Sequence, residues 1–276
     1  KIILLMKKKR LIPVLLLKNG WLVQSKGFSQ YKNLGNPVTA VKRLSEWAAD
    51  ELIYLDISKN EIYDRRREEN KYPNRQSFLE IIKDVSLTTF MPLTVGGKIN
   101  SIKDIEDRLL LGADKITLNS KILDDTNFIK IASKEFGSQC IVASIDVKKN
   151  RDEFRVYSHK NNQITKIDAI EFSKKCQDLG AGEILLNSVD RDGMGNGYEL
   201  GLLELISKNL SIPVIACGGV SEWDHFSSAF EKTNVDAVAA ANIFHFRDQS
   251  VFLAKKFLYN KKLNVREPLL ININKK

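Results

Sequence analysis

The chain has 276 residues, 43 Lys and Arg against 34 Asp and Glu for a formal net charge of +9, and 43% hydrophobic residues. No apolar run reaches the length of a membrane-spanning helix. The charge does not point to nucleic acid either: the lysines are scattered, the dense run Arg65-Arg66-Arg67 is followed at once by Glu68-Glu69, and no aromatic platform is interleaved with basic residues. Phosphorylated or otherwise anionic small molecules explain the same excess.

Residues 1–5 precede Met6 and read as an upstream extension or tag remnant, within an N-terminal stretch 1–9 outside the main domain. Strand 1 is expected over 11–17, ended by the turn Lys18-Asn19-Gly20. The next stretch, 21–36, with Gly27 and Gly35, suits a mobile lid or a plain surface loop. A helix is expected over 37–49. A second strand ends at Asp56, and the charged segment 59–76 after it is either a substrate-specific loop or a solvated excursion. Strand 3 leads into Gly96-Gly97, where Lys98 puts a positive charge at a place suited to a phosphate or carboxylate. Strand 4, Lys115–Leu118, leads into Asn119-Ser120, whose side chains can donate to an anion.

Strand 5 ends in Asp146, a carboxylate fit for general acid/base work. A hairpin-like segment, 151–164, follows, and its His159 reads as an exposed surface residue. After a helix over 168–179, strand 6 runs into Asn187, Ser188, Asp190, Asp192 and Gly193, the most site-like stretch of the chain. Strand 7 ends at Gly218-Gly219, a helix covers 222–232, and strand 8 ends at Ala241-Asn242. His245, among aromatics, reads as core. Cys140, Cys176 and Cys217 lack metal-type spacing and read as thiols of a reducing, cytosolic compartment; neither metal nor cofactor is expected.

The two halves repeat one another. Pro92 to Lys98 is echoed by Pro213 to Val220, and Asp114-Lys115 by Asp236-Ala237, with the glycine pairs and the aspartates at one separation (218 − 96 = 236 − 114 = 122). Four strands repeated once, with helices between, predict an α/β fold: a closed (β/α)8 TIM barrel with a two-fold half-barrel repeat, spanning 10–266 as one domain before a C-terminal tail, 267–276. Glycine pairs at strand ends let backbone approach a ligand and turn N–H groups outward, as phosphate binding requires. In such a barrel the carboxyl ends of the strands form the active face. At the opposite mouth Arg10, Glu51, Lys115 and Glu183 open four strands, and closure of the sheet would ring that mouth with alternating charge.

The phrases Thr94 to Gly97, Gly112 to Lys115, Phe136 to Gln139, Gly180 to Leu186, Asp190 to Gly193 and Ile243 to Phe246 closely resemble the cyclase subunit of imidazole glycerol phosphate synthase, over nearly the whole chain. The resemblance implies a barrel docked by its amino-terminal face onto a glutaminase subunit whose ammonia passes along the barrel axis. It makes Arg10, Glu51, Lys115 and Glu183 the ammonia gate, and it turns Asp114 and Gln139 toward the glutaminase. It places phosphate and substrate contacts at Gly97, Lys98, Asn119, Ser120, Asp192, Gly193, Gly218, Gly219, Ala241 and Asn242.

The same resemblance assigns the acid/base steps of imidazole closure to two aspartates. One matches Asp146; the other falls on Leu16, and a lysine of the first loop falls on Gln24. The third glycine of the strand-3 loop is Lys98 and a phosphate-site serine is Asn242. Losing a positioned acid or base typically reduces rate by about 10²–10⁴-fold, so the chain is expected to form imidazole poorly. It resembles diverged copies that, with a glutaminase and a third protein, supply ammonia to turn an acetamido group of a surface-polysaccharide sugar into an acetamidino group. The authentic histidine-pathway cyclase, with Asp56 or Asp192 replacing the missing carboxylate, is the other expectation.

Overall fold

The computed structural model describes residues 7–59, 75–245 and 248–270. Most of the charged excursion after the second strand, residues 1–6 and the end of the tail therefore lie outside the described residues. In chain order the elements are β1 (Arg10–Lys18), β2 (Trp21–Lys26), β3 (Gln30–Gly35), α1 (Pro37–Glu46), β4 (Leu52–Asp56), α2 (Phe78–Thr88), β5 (Leu93–Gly96) and α3 (Ile102–Leu110). There follow β6 (Lys115–Leu118), α4 (Ser120–Asp124), α5 (Asn127–Phe136), β7 (Ile141–Asn150), β8 (Glu153–Ser158), β9 (Gln163–Asp168) and α6 (Ala169–Asp178). The chain continues through β10 (Glu183–Ser188), α7 (Leu200–Asn209), β11 (Val214–Cys217), α8 (Trp223–Lys232), β12 (Ala237–Ala240) and α9 (Ser250–Asn260).

Strands β1, β4, β5, β6, β7, β10, β11 and β12 pair in parallel in that order, and β12 pairs back with β1. The sheet is closed: a (β/α)8 barrel. The helices sheathe it because their apolar positions recur at helical spacing, as in α1, where Val38, Val41 and Leu44 are buried. Local signals start them. Asn36 accepts from the Val38 N–H with Pro37 at the first helical position, and Ser101 with Asp104 forms a reciprocal capping box.

The half-barrel repeat is visible in hydrogen bonds. The Leu93 N–H donates to Oδ2 of Asp114 at 2.8 Å, and the Val214 N–H to Oδ2 of Asp236 at 3.2 Å. Each aspartate's own N–H returns a bond to the same residue's carbonyl. Asp50 does likewise for Leu11. These carboxylates splice neighbouring strands at the amino-terminal end of the barrel.

Two antiparallel hairpins rise from the other end. The stretch 21–36, expected as a lid or loop, is instead the hairpin β2–β3 built on β1. The expected hairpin after strand 5 is present as the ribbon β7–β8–β9. Alternation along each barrel strand sends every second side chain inward. The inward set of Ile12, Val14, Ile53, Val142, Leu185, Ile215, Ala237 and Ala239 forms an apolar plug, capped by the partly buried Leu16, Leu55, Cys217 and Ala241. Among the described residues no helix is long and apolar enough to cross a membrane.

Candidate active site

The amino-terminal mouth is a closed ring of ion pairs. Arg10 reaches Glu51 at 2.7 Å and Glu183 at 2.9 Å, and Lys115 reaches Glu51 at 3.0 Å and Glu183 at 3.1 Å. Glu51 is 2% exposed and also accepts from the Thr94 hydroxyl at 2.7 Å. Burial pulls the Arg10 pKa down, but the charges of Glu183 and Glu51 outweigh it and hold the guanidinium above its ordinary value. Asp114 and Gln139 are exposed at the same end.

The same strands carry groups to the opposite face. Lys115 and Asn119 lie four residues apart along β6 and its end, and Glu183 and Asn187 lie four apart along β10, so a period of two turns all four inward. A rise of about 3.3 Å per residue sets the two levels roughly 13 Å apart. At the upper level Asn119 donates its amide to Oδ2 of Asp146 at 2.7 Å and to the Ser144 carbonyl at 3.1 Å. Asn187 donates to Oδ1 of Asp146 at 2.9 Å. Asp146 is buried and held on both oxygens. The Asn119 amide, expected to meet an anion, thus fixes the carboxylate instead.

The residue that sequence reasoning set aside lies here. Nε2 of His159 is 3.2 Å from Oδ2 of Asp146, and the imidazole lies against Phe28, centroids 4.4 Å apart and planes tilted by 42°, and meets the Tyr157 ring edge-on at 4.9 Å. The approach to Asp146 is not an aligned hydrogen bond, so the contact is a charge pair when the ring is protonated. Asp192 is pushed up to about 6 by burial and then by the charge of Asp146, with His159 acting the other way. Asp190 turns outward and accepts the Lys149 N–H at 2.8 Å. Buried oxygens Oδ2 of Asp192, Oδ1 of Asn187 and Oδ1 of Asn242 have no aligned hydrogen bond among the described residues. Polar atoms left so in a concave site suit a ligand.

Hairpin β2–β3 leans over this face. The Gly27 N–H donates to the Asp192 carbonyl at 3.1 Å, the Asn242 amide donates to the Ser25 carbonyl at 2.7 Å, and Gly193 lies so close to Lys26 that a Cβ would sit 2.6 Å from its Cα. Beside it opens a cleft of about 590 Å³ that Gln24, Gly193, Ser221, Asn242 and the start of α8 line.

Both glycine loops are tightly enclosed. Gly97 (φ 101°) has the Asp56 carbonyl oxygen 2.1 Å from where a Cβ would lie, and Gly219 (φ 102°) has that of Gly197 at 2.2 Å. No other residue fits either place. Gly218 abuts Ser188 and Asn187. Lys98 keeps a left-handed backbone, φ 53°, and its ammonium lies 3.7 Å from Oδ2 of Asp56. Ser120 opens the short helix α4 and is exposed. His245 is packed in, its pKa lowered to about 4 by burial and then by Arg43.

Leu16 occupies the inward position at the top of β1, where it caps the apolar plug. The upper level therefore offers one oriented carboxylate, a second carboxyl able to hold a proton near neutral pH, and an imidazole. Such a set can move protons to and from a nitrogen nucleophile.

Comparison with known proteins shows the family. The family model described as "Histidine biosynthesis protein" matches residues 10–250. The imidazole glycerol phosphate synthase subunit HisF of Bacillus cereus (strain G9842) is 40% identical over 262 residues, which cover 95% of this chain and 100% of that protein. The putative imidazole glycerol phosphate synthase subunit hisF2 of Vibrio vulnificus (strain YJ016) is 40% identical over 261 residues, covering 95% of this chain and 92% of its own length. The chain belongs to the histidine biosynthesis protein family, among the HisF-like subunits of imidazole glycerol phosphate synthase.

Proposed function

We propose that this barrel receives ammonia from a glutaminase docked on its amino-terminal face and passes it along its axis to the face that carries Asp146, where a phosphate-bearing or otherwise anionic ligand binds. The ammonia enters through Arg10, Glu51, Lys115 and Glu183, and a third protein uses it to turn an acetamido group of a surface-polysaccharide sugar into an acetamidino group. The observation that carries this reading is an asymmetry along the axis. The ring of four charges is complete, whereas the inward position atop β1 holds Leu16, which can move no proton. Supplying the chain to a strain that lacks its histidine cyclase is expected not to restore growth without histidine. Robust growth would overturn the proposal.

A second reading is favoured by one observation. His159 and Asp192 bring two further titratable groups to Asp146, and an authentic cyclase with a rearranged proton relay would use them. The names carried by the relatives point the same way. Growth of the complemented strain, lost again on Asp146→Asn, would establish that reading.

A further inference from the structure

We infer that His159 is an acid/base residue of this site, backed by Asp146, and acts on whichever acceptor the site binds. The inference rests on the placement of the site at Asp146, but on neither acceptor in particular.

Four observations converge. The β7–β8 pairing sets Val147 opposite Val156, so continuing the register by one residue puts Tyr157 opposite Asp146, with His159 two residues further on. Nε2 then stands 3.2 Å from Oδ2 of Asp146. Phe28, from the other hairpin, and Tyr157 hold the ring between a tilted and an edge-on contact. Asn119 and Asn187 fix the carboxylate from below. A surface histidine has no need of such a setting: its side chain is 30% exposed, while Nε2 itself is buried.

With Nε2 turned to Asp146, Nδ1 is the nitrogen left for the reacting groups. A carboxylate behind one ring nitrogen orients the imidazole and stabilises its protonated form, which makes the other nitrogen a better base. As the lone pair of ammonia bonds to an electrophilic carbon of the acceptor, the displaced π pair moves onto that carbon's oxygen or nitrogen. One N–H proton of the nucleophile passes to Nδ1, and Asp146 stays ionised. Catalytic contacts in empty sites are often off-line and tighten when substrate binds. The charged and titratable groups around the ring are Asp146 on β7, Tyr157 on β8 and Asp192 after β10.

The test is imidazole ¹⁵N NMR of the full chain, which reads the ring nitrogen that carries the hydrogen. With Nε2 turned to Asp146, the neutral His159 ring is expected to carry its hydrogen on Nε2, and Asp146→Asn is expected to shift those resonances. A hydrogen held on Nδ1, or resonances unmoved in Asp146→Asn, overturns the inference. The second arm supplies ammonium salt and the ribonucleotide intermediate of imidazole closure to the wild-type protein and to His159→Gln. If the wild-type protein turns the probe over, the variant should lose about 10²-fold or more with a flattened pH profile, and wild-type turnover in the variant overturns the inference. If the wild-type protein is inert, the second reading of function fails while the NMR shift still decides the role of His159.

Discussion

Nζ of Lys115 stands 3.0 Å from Oε2 of Glu51, and this pair, buried on the glutamate side, ties two barrel strands across the amino-terminal mouth. Removing either partner leaves the other with one ion pair in place of two, Glu51 with Arg10 or Lys115 with Glu183, and opens the ring. With a glutaminase bound, Lys115→Ala or Glu51→Ala is expected to let ammonia escape, so that glutamate forms several-fold faster than aminated product. Parallel measurement of the two products checks this; unchanged coupling would remove the gate from the account.

Asp192 titrates at about 6 in the folded chain, against about 3.9 for an unfolded aspartate. Between those values the folded chain binds the proton more tightly, so stability is highest below the unfolded value and falls as pH rises through the window from about 4 to about 6. The loss is on the order of 3 kcal/mol. Urea unfolding across that window should show this slope in the wild-type protein and its absence in Asp192→Asn, which should also be the more stable at neutral pH.

Lys255 is fully buried, and its ammonium donates to the Ala48 carbonyl at 2.8 Å and to Oδ1 of Asp50 at 2.5 Å. It pins α9 to the carboxylate that splices β1 to the start of β4. Lys255→Ala should cost about 3–5 kcal/mol, because Asp50 is left buried with, among the described residues, only the exposed Arg266 at 3.6 Å as a cation. Lys255→Met should cost less by filling the space. Denaturant midpoints separate the two.

Leu16→Asp puts a carboxylate on the cap of the apolar plug. We expect a loss of about 1–3 kcal/mol in stability and no gain in ring closure, since Gln24 and Lys98 have changed as well. The companion change Lys98→Gly relieves a left-handed φ of 53° and should stabilise by about 1 kcal/mol. Thermal unfolding reads both. A large gain in cyclisation from Leu16→Asp alone would mean that one side chain accounts for the altered site.

The barrel was legible because its signals are local and repeated: apolar runs of strand length, glycine pairs, and aspartates at a constant separation. The reciprocal bonds of Asp114 with Leu93 and of Asp236 with Val214 are that repeat in physical form. Charges at strand starts could be placed on one mouth from parity alone. Hairpin β2–β3 was not legible, because most of β3 is exposed or only partly buried and carries no apolar alternation. His159 was missed for a related reason. Its neighbours come from three separate segments, Phe28, Asp146 and Tyr157, and only the register of the β7–β8 pairing brings them together. Counting back from the Arg151 turn was the one available signal.

The most direct test of the account is the initial rate of imidazole ring closure by the purified chain, given ammonium salt and the histidine-pathway ribonucleotide so that no partner is needed. A complete ammonia inlet beneath a site that lacks the carboxylate at position 16 predicts a rate about 10²-fold or more below that of the Bacillus cereus HisF relative measured alongside. A rate equal to that relative's would contradict it.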